Sequence, residues 1–365
     1  MIIGIDGNEA NVEKKVGISE YVYELLLQFN KMQGGNVRFE IYLKNSPRDD
    51  LPSVGKNWHY HVFGPRKLWT QFALPLRLYI ARNRPDVFFS PGHYAPRFSP
   101  VPQVISIMDL AFFHFPEYFT RKDLAQLKSW TEYSVRKADA IITISHASKD
   151  DIIKKYTIPE EKIYVIYPGI KAEMTLQHSV SAMNELKAKY SLSEKYILFV
   201  GTLQPRKNIS RLIEAFSILS KKRAFSDIEL VIVGKKGWSY EDILQAPKKF
   251  AVEDRVKFLD FVPDEDLPLL YHHAQCFVLP SLYEGFGLPV LEAMKHDCPV
   301  ITSNVSSLPE AGGDAAVYID PLSVSDIAEK LEKVLSDKNL RNTMIERGRR
   351  QIQKFSWEKA ATGDA

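Results

Sequence analysis

Cysteine is nearly absent: the 365 residues hold two, Cys276 and Cys298. Both stand in apolar surroundings beside strand-like runs and read as reduced core residues, which suits a cytoplasmic compartment. Their spacing offers no metal site. No run approaches about 18 apolar residues, which argues against a membrane-spanning helix. The start, Met1-Ile-Ile-Gly-Ile-Asp6, has neither a basic flank nor an apolar stretch of signal-peptide length. Net charge is only +3, so nothing global points to nucleic acid. Three motifs are also missing. Without G-x-x-x-x-G-K-[ST] the chain is no P-loop NTPase. Without G-x-G-x-x-G after the first strand it lacks the pyrophosphate turn of a Rossmann oxidoreductase, and without G-x-S-x-G it lacks a nucleophile elbow.

What is present is alternation. Apolar runs at 2–6, 39–43, 86–89, 103–107, 140–144 and 163–166 read as strands. Between them, 18–31, 69–82, 122–137 and 147–156 carry helical spacing. A less hydrophobic stretch near 171–195 interrupts the pattern, which restarts with strands at 196–201, 229–233, 256–259, 276–279 and 299–302. Helices are expected at 209–222, 240–250, 288–295 and 325–335. The expectation is α/β, with two Rossmann-like doubly wound domains facing across a cleft: residues 1–168, residues 169–355, and a short final helix in 356–365. Residues 1–170 carry 22 Lys and Arg against 18 Asp and Glu, and the remainder 26 against 27. Within 56–97 seven basic residues face Asp86 alone, interleaved with Trp69, Phe72, Leu76, Tyr79 and Ile80. That segment reads as a core-facing helix with solvated arginines, or as a surface for anionic lipid or a phosphate-bearing acceptor.

The densest chemistry lies in Glu284-Gly-Phe-Gly-Leu-Pro-Val-Leu-Glu292. It follows the strand-like run Cys276-Phe-Val-Leu-Pro-Ser281 and opens a helix, so unpaired N–H groups and the helix dipole favour an anion there. Glu284 can accept hydrogen bonds from sugar hydroxyls, and Glu292, two turns on, from a ribose. Arg206 and Lys207, in a strand-to-helix loop, can neutralise a diphosphate. Gly234 ends a strand as a nucleotide-side loop or as a plain terminator. Phe261-Val262-Pro263 either borders a base or merely precedes a helix. Asp264 and Asp266 spell D-x-D but stand at a helix start, where acids cap rather than bind metal. Gly17 lets backbone approach a ligand. Asp109 is either a hydroxyl contact or a turn cap. His93 and His114 lie in nearby loops as acid/base candidates or as solvated histidines.

These residues resemble the retaining glycosyltransferases of family 4, which have the GT-B fold. The resemblance covers essentially the whole chain. It rests on Val200-Gly-Thr-Leu203 with Arg206-Lys207, Tyr167-Pro-Gly169, Phe261-Val-Pro-Asp264 and, most specifically, the two glutamates of Glu284-x7-Glu292. Phe88-Phe-Ser-Pro-Gly-His93, Phe113-His-Phe-Pro-Glu117 and Val233-Gly-Lys-Lys-Gly-Trp238 look most like the branch that transfers mannose from GDP-mannose in polysaccharide or O-antigen assembly. The resemblance implies that Arg206 and Lys207 stabilise the departing diphosphate and Glu284 contacts the donor sugar. It implies backbone contacts from Phe286, Gly287 and Leu288, a ribose contact from Glu292, and Gly17 near the β-phosphate and acceptor. It implies no cofactor and no metal. The partners it implies are a nucleotide sugar and a glycan or lipid-linked acceptor; in its lipid-facing alternative, the 56–97 segment adds peripheral contact at the inner membrane face. Relatives carry His-Asp where this chain has Met108-Asp109, and they end on a longer helix that crosses back to the first domain. Met108 lacks the imidazole's donor. The same residues admit a UDP-sugar donor. Two other classes remain open: a GT-B sugar-nucleotide epimerase using Asp109 and Glu117, and a catalytically weak nucleotide-sugar-binding scaffold.

Overall fold

The computed structural model describes residues 1–32, 36–171 and 180–363. The chain divides into two units: Met1–Gly169 with Phe355–Ala365, and Ile170–Lys354. Part of the less hydrophobic stretch, 172–179, lies outside the described residues; a helix, Val180–Tyr190, follows it.

Unit 1 is built on seven strands: β1 (Ile2–Asp6), β2 (Arg38–Leu43), β3 (Trp58–Val62), β4 (Val87–Ser90), β5 (Gln103–Ile107), β6 (Ala140–Thr143) and β7 (Ile163–Val165). Their order is β3-β2-β1-β4-β5-β6-β7, and every pairing is parallel. Order reverses at β1 and β4, which makes the carboxyl ends of those strands the expected binding position of such a sheet. Ile5, Phe88, Ile105 and Ile141 are fully buried, as strands covered by helices on both faces require. Ser145 caps the helix His146–Tyr156 by accepting from Ser148 N at 3.0 Å.

Unit 2 has six parallel strands: β8 (Lys195–Val200), β9 (Ile228–Val233), β10 (Val256–Leu259), β11 (Cys276–Leu279), β12 (Val300–Ser303) and β13 (Ala316–Ile319). The order β10-β9-β8-β11-β12-β13 reverses at β8 and β11. Both cysteines are buried and free, and burial pushes their thiols up, Cys276 to about 12.

Three differences from the sequence expectation have physical causes. The edge strand β3 went unread because His59 and His61 break its apolar run, whereas β13, Ala316-Val-Tyr-Ile319, is a short continuous apolar run that was not expected as a strand. The helix in the basic segment, Ala73–Ile80, is not simply core-facing: Ala73, Leu74 and Leu78 are buried, while Phe72, Leu76, Tyr79 and Ile80 are 50–64% exposed. Asp266 starts the helix Leu267–His273 without a side-chain cap; its carboxylate accepts instead from Lys189 Nζ at 2.6 Å and Tyr190 OH at 2.5 Å. At the end of the chain, the helix Trp357–Thr362 packs on the helix Ile18–Lys31 of unit 1, with the Trp357 and Tyr21 rings 5.9 Å apart. Trp357 N lies so close to Gly169 that a Cβ there would meet it at 2.2 Å, which is why Tyr167-Pro-Gly169 ends on glycine.

Candidate active site

At the switch point of unit 2, β8 delivers the loop to Arg206 and Lys207, and β11 delivers Glu284. Pro205–Lys207 form one 3-10 turn before the helix Ile209–Ser220. The turn aims both cations at the neighbouring loop. Lys207 Nζ donates to Glu284 Oε1 at 2.6 Å, and Arg206 Nη1 donates to Oε2 at 3.1 Å and to the Tyr283 carbonyl at 2.8 Å. Ser281 Oγ donates to Oε1 at 2.6 Å. Ser307 Oγ and Ser306 Oγ hold the Glu284 carbonyl at 2.8 and 2.6 Å. Burial alone would raise the Glu284 carboxyl. The charges of Lys207 and Arg206, with the hydrogen bonds from Lys207 and Ser281, outweigh it and hold the group at about 2. The carboxylate is therefore ionised across the physiological range, and two cations against one anion leave the cluster with a net positive charge.

Glu292 lies on the helix Leu288–Lys295, whose N-cap is Gly287. Gly287 has φ 100°, and a Cβ there would strike Leu308 Cδ2 at 2.7 Å, so a side chain is refused on both counts. The Glu292 carboxyl accepts from Tyr271 OH at 2.9 Å. Burial raises it, against that hydrogen bond and the Lys171 charge. Phe286 is buried and Leu288 opens the helix. Gly234 follows β9 at φ 153°, where a Cβ would fall 2.0 Å from the Gly201 carbonyl oxygen, so the position refuses a side chain. Val262 is buried, whereas Phe261 is exposed with Lys235 Nζ 5.2 Å above its ring.

In unit 1, Gly17 starts the helix Ile18–Lys31 at φ 57°, with nothing within 4 Å of where a Cβ would stand. Asp109 Oδ1 accepts from Ala111 N at 2.9 Å, the turn-cap arrangement, while its charge also reaches His93. His114 Nε2 pairs with Asp151 at 2.8 Å. Sequence reasoning missed several supports. Asn208 Nδ2 ties the carbonyls of Pro280 and Pro321 at 3.0 and 2.7 Å; Ser281, Ser306, Ser307 and Tyr271 hold the two glutamates. Only Ser281, three residues before Glu284, stood close enough in sequence to be suspected.

Comparison with known proteins adds the family. Residues 16–174 match the model "Glycosyltransferase Family 4", and residues 182–351 match "Glycosyl transferases group 1". The O-antigen chain mannosyltransferase B of Escherichia coli is 34% identical over 277 residues, covering 76% of this chain and 72% of that one. The chain belongs to the family 4 glycosyltransferases. A second relative, the O-antigen chain mannosyltransferase RfbU of Salmonella typhimurium, is 32% identical over 60% of this chain and 57% of its own length. Among solved structures, Anabaena HepE in complex with UDP-glucose superposes with a TM-score of 0.73 at 19% identity, covering 99% of this chain and 97% of that one. That likeness speaks for the fold, a GT-B pair of Rossmann-like domains. This family 4 protein is thus a hexosyltransferase, and none of its described helices is long and apolar enough to cross a membrane.

Proposed function

We propose that this glycosyltransferase moves mannose from GDP-mannose to a hydroxyl of a glycan or lipid-linked acceptor, with retention of configuration and without a metal. The observation that carries the reading is the Arg206–Lys207–Glu284 cluster at the β8/β11 switch point, next to the N-terminus of the helix Leu288–Lys295. A leaving diphosphate gains charge as the C1–O bond to the β-phosphate breaks. Lys207, Arg206 and the helix N-terminus supply fixed positive potential for it. Glu284, held ionised, accepts from sugar hydroxyls, and Glu292 accepts from the ribose. The new bond forms between C1 and the acceptor oxygen on the same face, and the acceptor proton passes to the departing phosphate oxygen. Mannose and the glycan acceptor are supported by the mannosyltransferase relatives. A UDP-sugar is the comparator, because the Anabaena neighbour is described with UDP-glucose.

The test is a thermal-shift and transfer panel of GDP, UDP, GDP-mannose and UDP-glucose, with and without EDTA, with the product anomer read by NMR. A GDP-selective shift and an EDTA-insensitive α-mannosyl product sustain the reading. A UDP-selective shift replaces the donor, an inverted anomer removes retention, and loss of transfer in EDTA removes the metal-free chemistry. The reading includes an anionic lipid surface as the seat of a lipid-linked acceptor. It is supported by exposed Phe72, Leu76, Tyr79 and Ile80 beside exposed Arg66, Lys67, Arg82 and Arg84. Co-flotation with phosphatidylglycerol vesicles but not with phosphatidylcholine vesicles is the expected outcome.

A further inference from the structure

Asn208 stands directly after the two cations of unit 2 and departs from what its position suggests. Its backbone is left-handed, φ 60° and ψ 29°, a conformation that glycine and asparagine accept and most other side chains avoid. It also occupies the N-cap of the helix Ile209–Ser220, where an asparagine side chain ordinarily accepts from a first-turn N–H; here the side chain caps nothing. The residue is buried. A buried amide without local bonds requires partners from elsewhere in the fold.

Those partners come from two other loops of the same sheet edge. Nδ2 donates to the Pro280 carbonyl at 3.0 Å and to the Pro321 carbonyl at 2.7 Å, which uses both of its N–H groups. Oδ1 accepts from Arg211 Nη1 at 2.5 Å, and that nitrogen also donates to the Pro321 carbonyl at 3.1 Å. A flipped amide would set Oδ1 against two carbonyls and Nδ2 against a guanidinium, so the network admits one orientation. Asn208 lies in the loop after β8, Pro280 follows β11, and Pro321 follows β13. The turn and the glutamate loop are joined again further along, where Leu282 N donates to the Arg206 carbonyl at 2.8 Å. Arg206 and Lys207 repel one another and have long, rotatable side chains. Their contacts with Glu284, at 3.1 and 2.6 Å, therefore depend on the spacing of the two backbones.

We propose that Asn208, clamped by Arg211, is a positioning residue for the transfer step: it locks the turn that carries Arg206 and Lys207 to the loop that carries Glu284 and to the end of β13. The two cations are then already aimed when the diphosphate departs. The proposal rests on the transferase reading above and adds what holds its residues in place. Asn208 acts through the turn and not on the substrate. A displacement of about 1 Å at such a site costs about 100-fold in rate, which sets the size of the expected effect.

The test compares the full chain with Asn208→Gly and Asn208→Asp. Glycine keeps the left-handed backbone and deletes the amide. Aspartate keeps the shape and the Arg211 pair but removes both donors. Val256→Ala, at the amino end of β10, lowers stability without touching the turn and serves as the control. Melting temperature, transfer from GDP-mannose or UDP-glucose to methyl α-D-mannopyranoside, and hydrogen exchange of the Leu282 amide are read for each. Both Asn208 variants should lose about 30–100-fold in kcat, with the donor's KM within about 3-fold of the parent. Leu282 should exchange at least about 10-fold faster, while Phe277 in β11 follows only the global change in stability. Turnover within about 3-fold of the parent in either variant overturns the proposal, as does an equal loss in Val256→Ala at the same fall in melting temperature. Arg211→Ala loosens the amide from outside the turn and covers the case in which the buried variants do not fold. It should lose about 5–10-fold in kcat, and unchanged turnover with unchanged Leu282 exchange overturns the clamp. A parent that leaves both donors intact counts against the transferase reading alone. The lock is then judged by exchange: faster Leu282 exchange in the variants sustains it, and unchanged exchange overturns it.

Discussion

The two sheets differ in how the charged groups at their switch points are held, although buried polar atoms without a partner occur at both edges, Gln204 Oε1 in unit 2 and Ser90 Oγ in unit 1. In unit 2 the charges that meet there are matched: Glu284 takes Lys207, Arg206 and Ser281, and Glu292 takes Tyr271. In unit 1 the equivalent edge holds unmatched atoms. His93 Nε2 and Ser90 Oγ have no partner, and burial pushes the Asp6 carboxyl up to about 6 against the hydrogen bonds from Asn8. The same topology therefore serves two strategies. One edge is assembled in advance, so a donor diphosphate meets cations that need not be gathered. The other keeps polar groups in reserve, at a cost to stability that a ligand can offset.

The comparison breaks most visibly at Lys207. Lys207→Ala leaves the buried Glu284 carboxylate with Arg206 and Ser281 alone. We expect turnover to fall by at least about 1000-fold and unfolding free energy by about 3–5 kcal/mol, read by transfer assay and urea denaturation. Arg206→Ala should lower turnover by about 100–1000-fold while leaving the fold intact, because Arg206 is the more exposed partner; near-normal turnover would remove its role. Acid should expose the same asymmetry. The Glu284 carboxyl is held at about 2 in the fold, below its ordinary value of 4.5. Its contribution to stability is therefore full above that ordinary value and lost as pH falls towards 2. Asp6 runs the other way: its carboxyl is raised from 3.8 to about 6, so stability falls as pH rises through that window. Asp6→Asn should flatten the second slope without touching the first, and denaturation midpoints across pH would show it. The smallest expected effect is Tyr271→Phe, which deletes the hydroxyl on Glu292. Nucleotide affinity should weaken by about 3–10-fold with kcat little changed, and an unchanged Kd would count against Glu292 as the ribose contact.

Much of the fold was legible because buried parallel strands write themselves as apolar runs. The strand Cys276–Leu279 and the helix Leu288–Lys295 stand where their sequences put them. The edge strand Trp58–Val62 was not legible, since its two histidines dilute the apolar signal. The polar helix Lys338–Gln351 escaped for the same reason. Arg206, Lys207 and Glu284 could be brought together in advance because both loops leave neighbouring strands at one sheet edge. Their seryl, asparaginyl and tyrosyl supports could not. Asn208 reaches Pro321 across 113 positions, and no local pattern marks that contact. The left-handed backbone of His93 was equally silent, because only glycine advertises such a conformation in sequence.

The two sealed thiols turn the scarcity of cysteine into a clock. Cys276 lies in β11 and Cys298 just before β12, both at the centre of unit 2, and neither thiolate forms while the sheet is closed. An alkylating reagent can therefore act only when those strands part, and unit 1 has no thiol to compete. The rate of modification would count openings of the donor unit alone, and its slowing by a bound nucleotide would translate affinity into time.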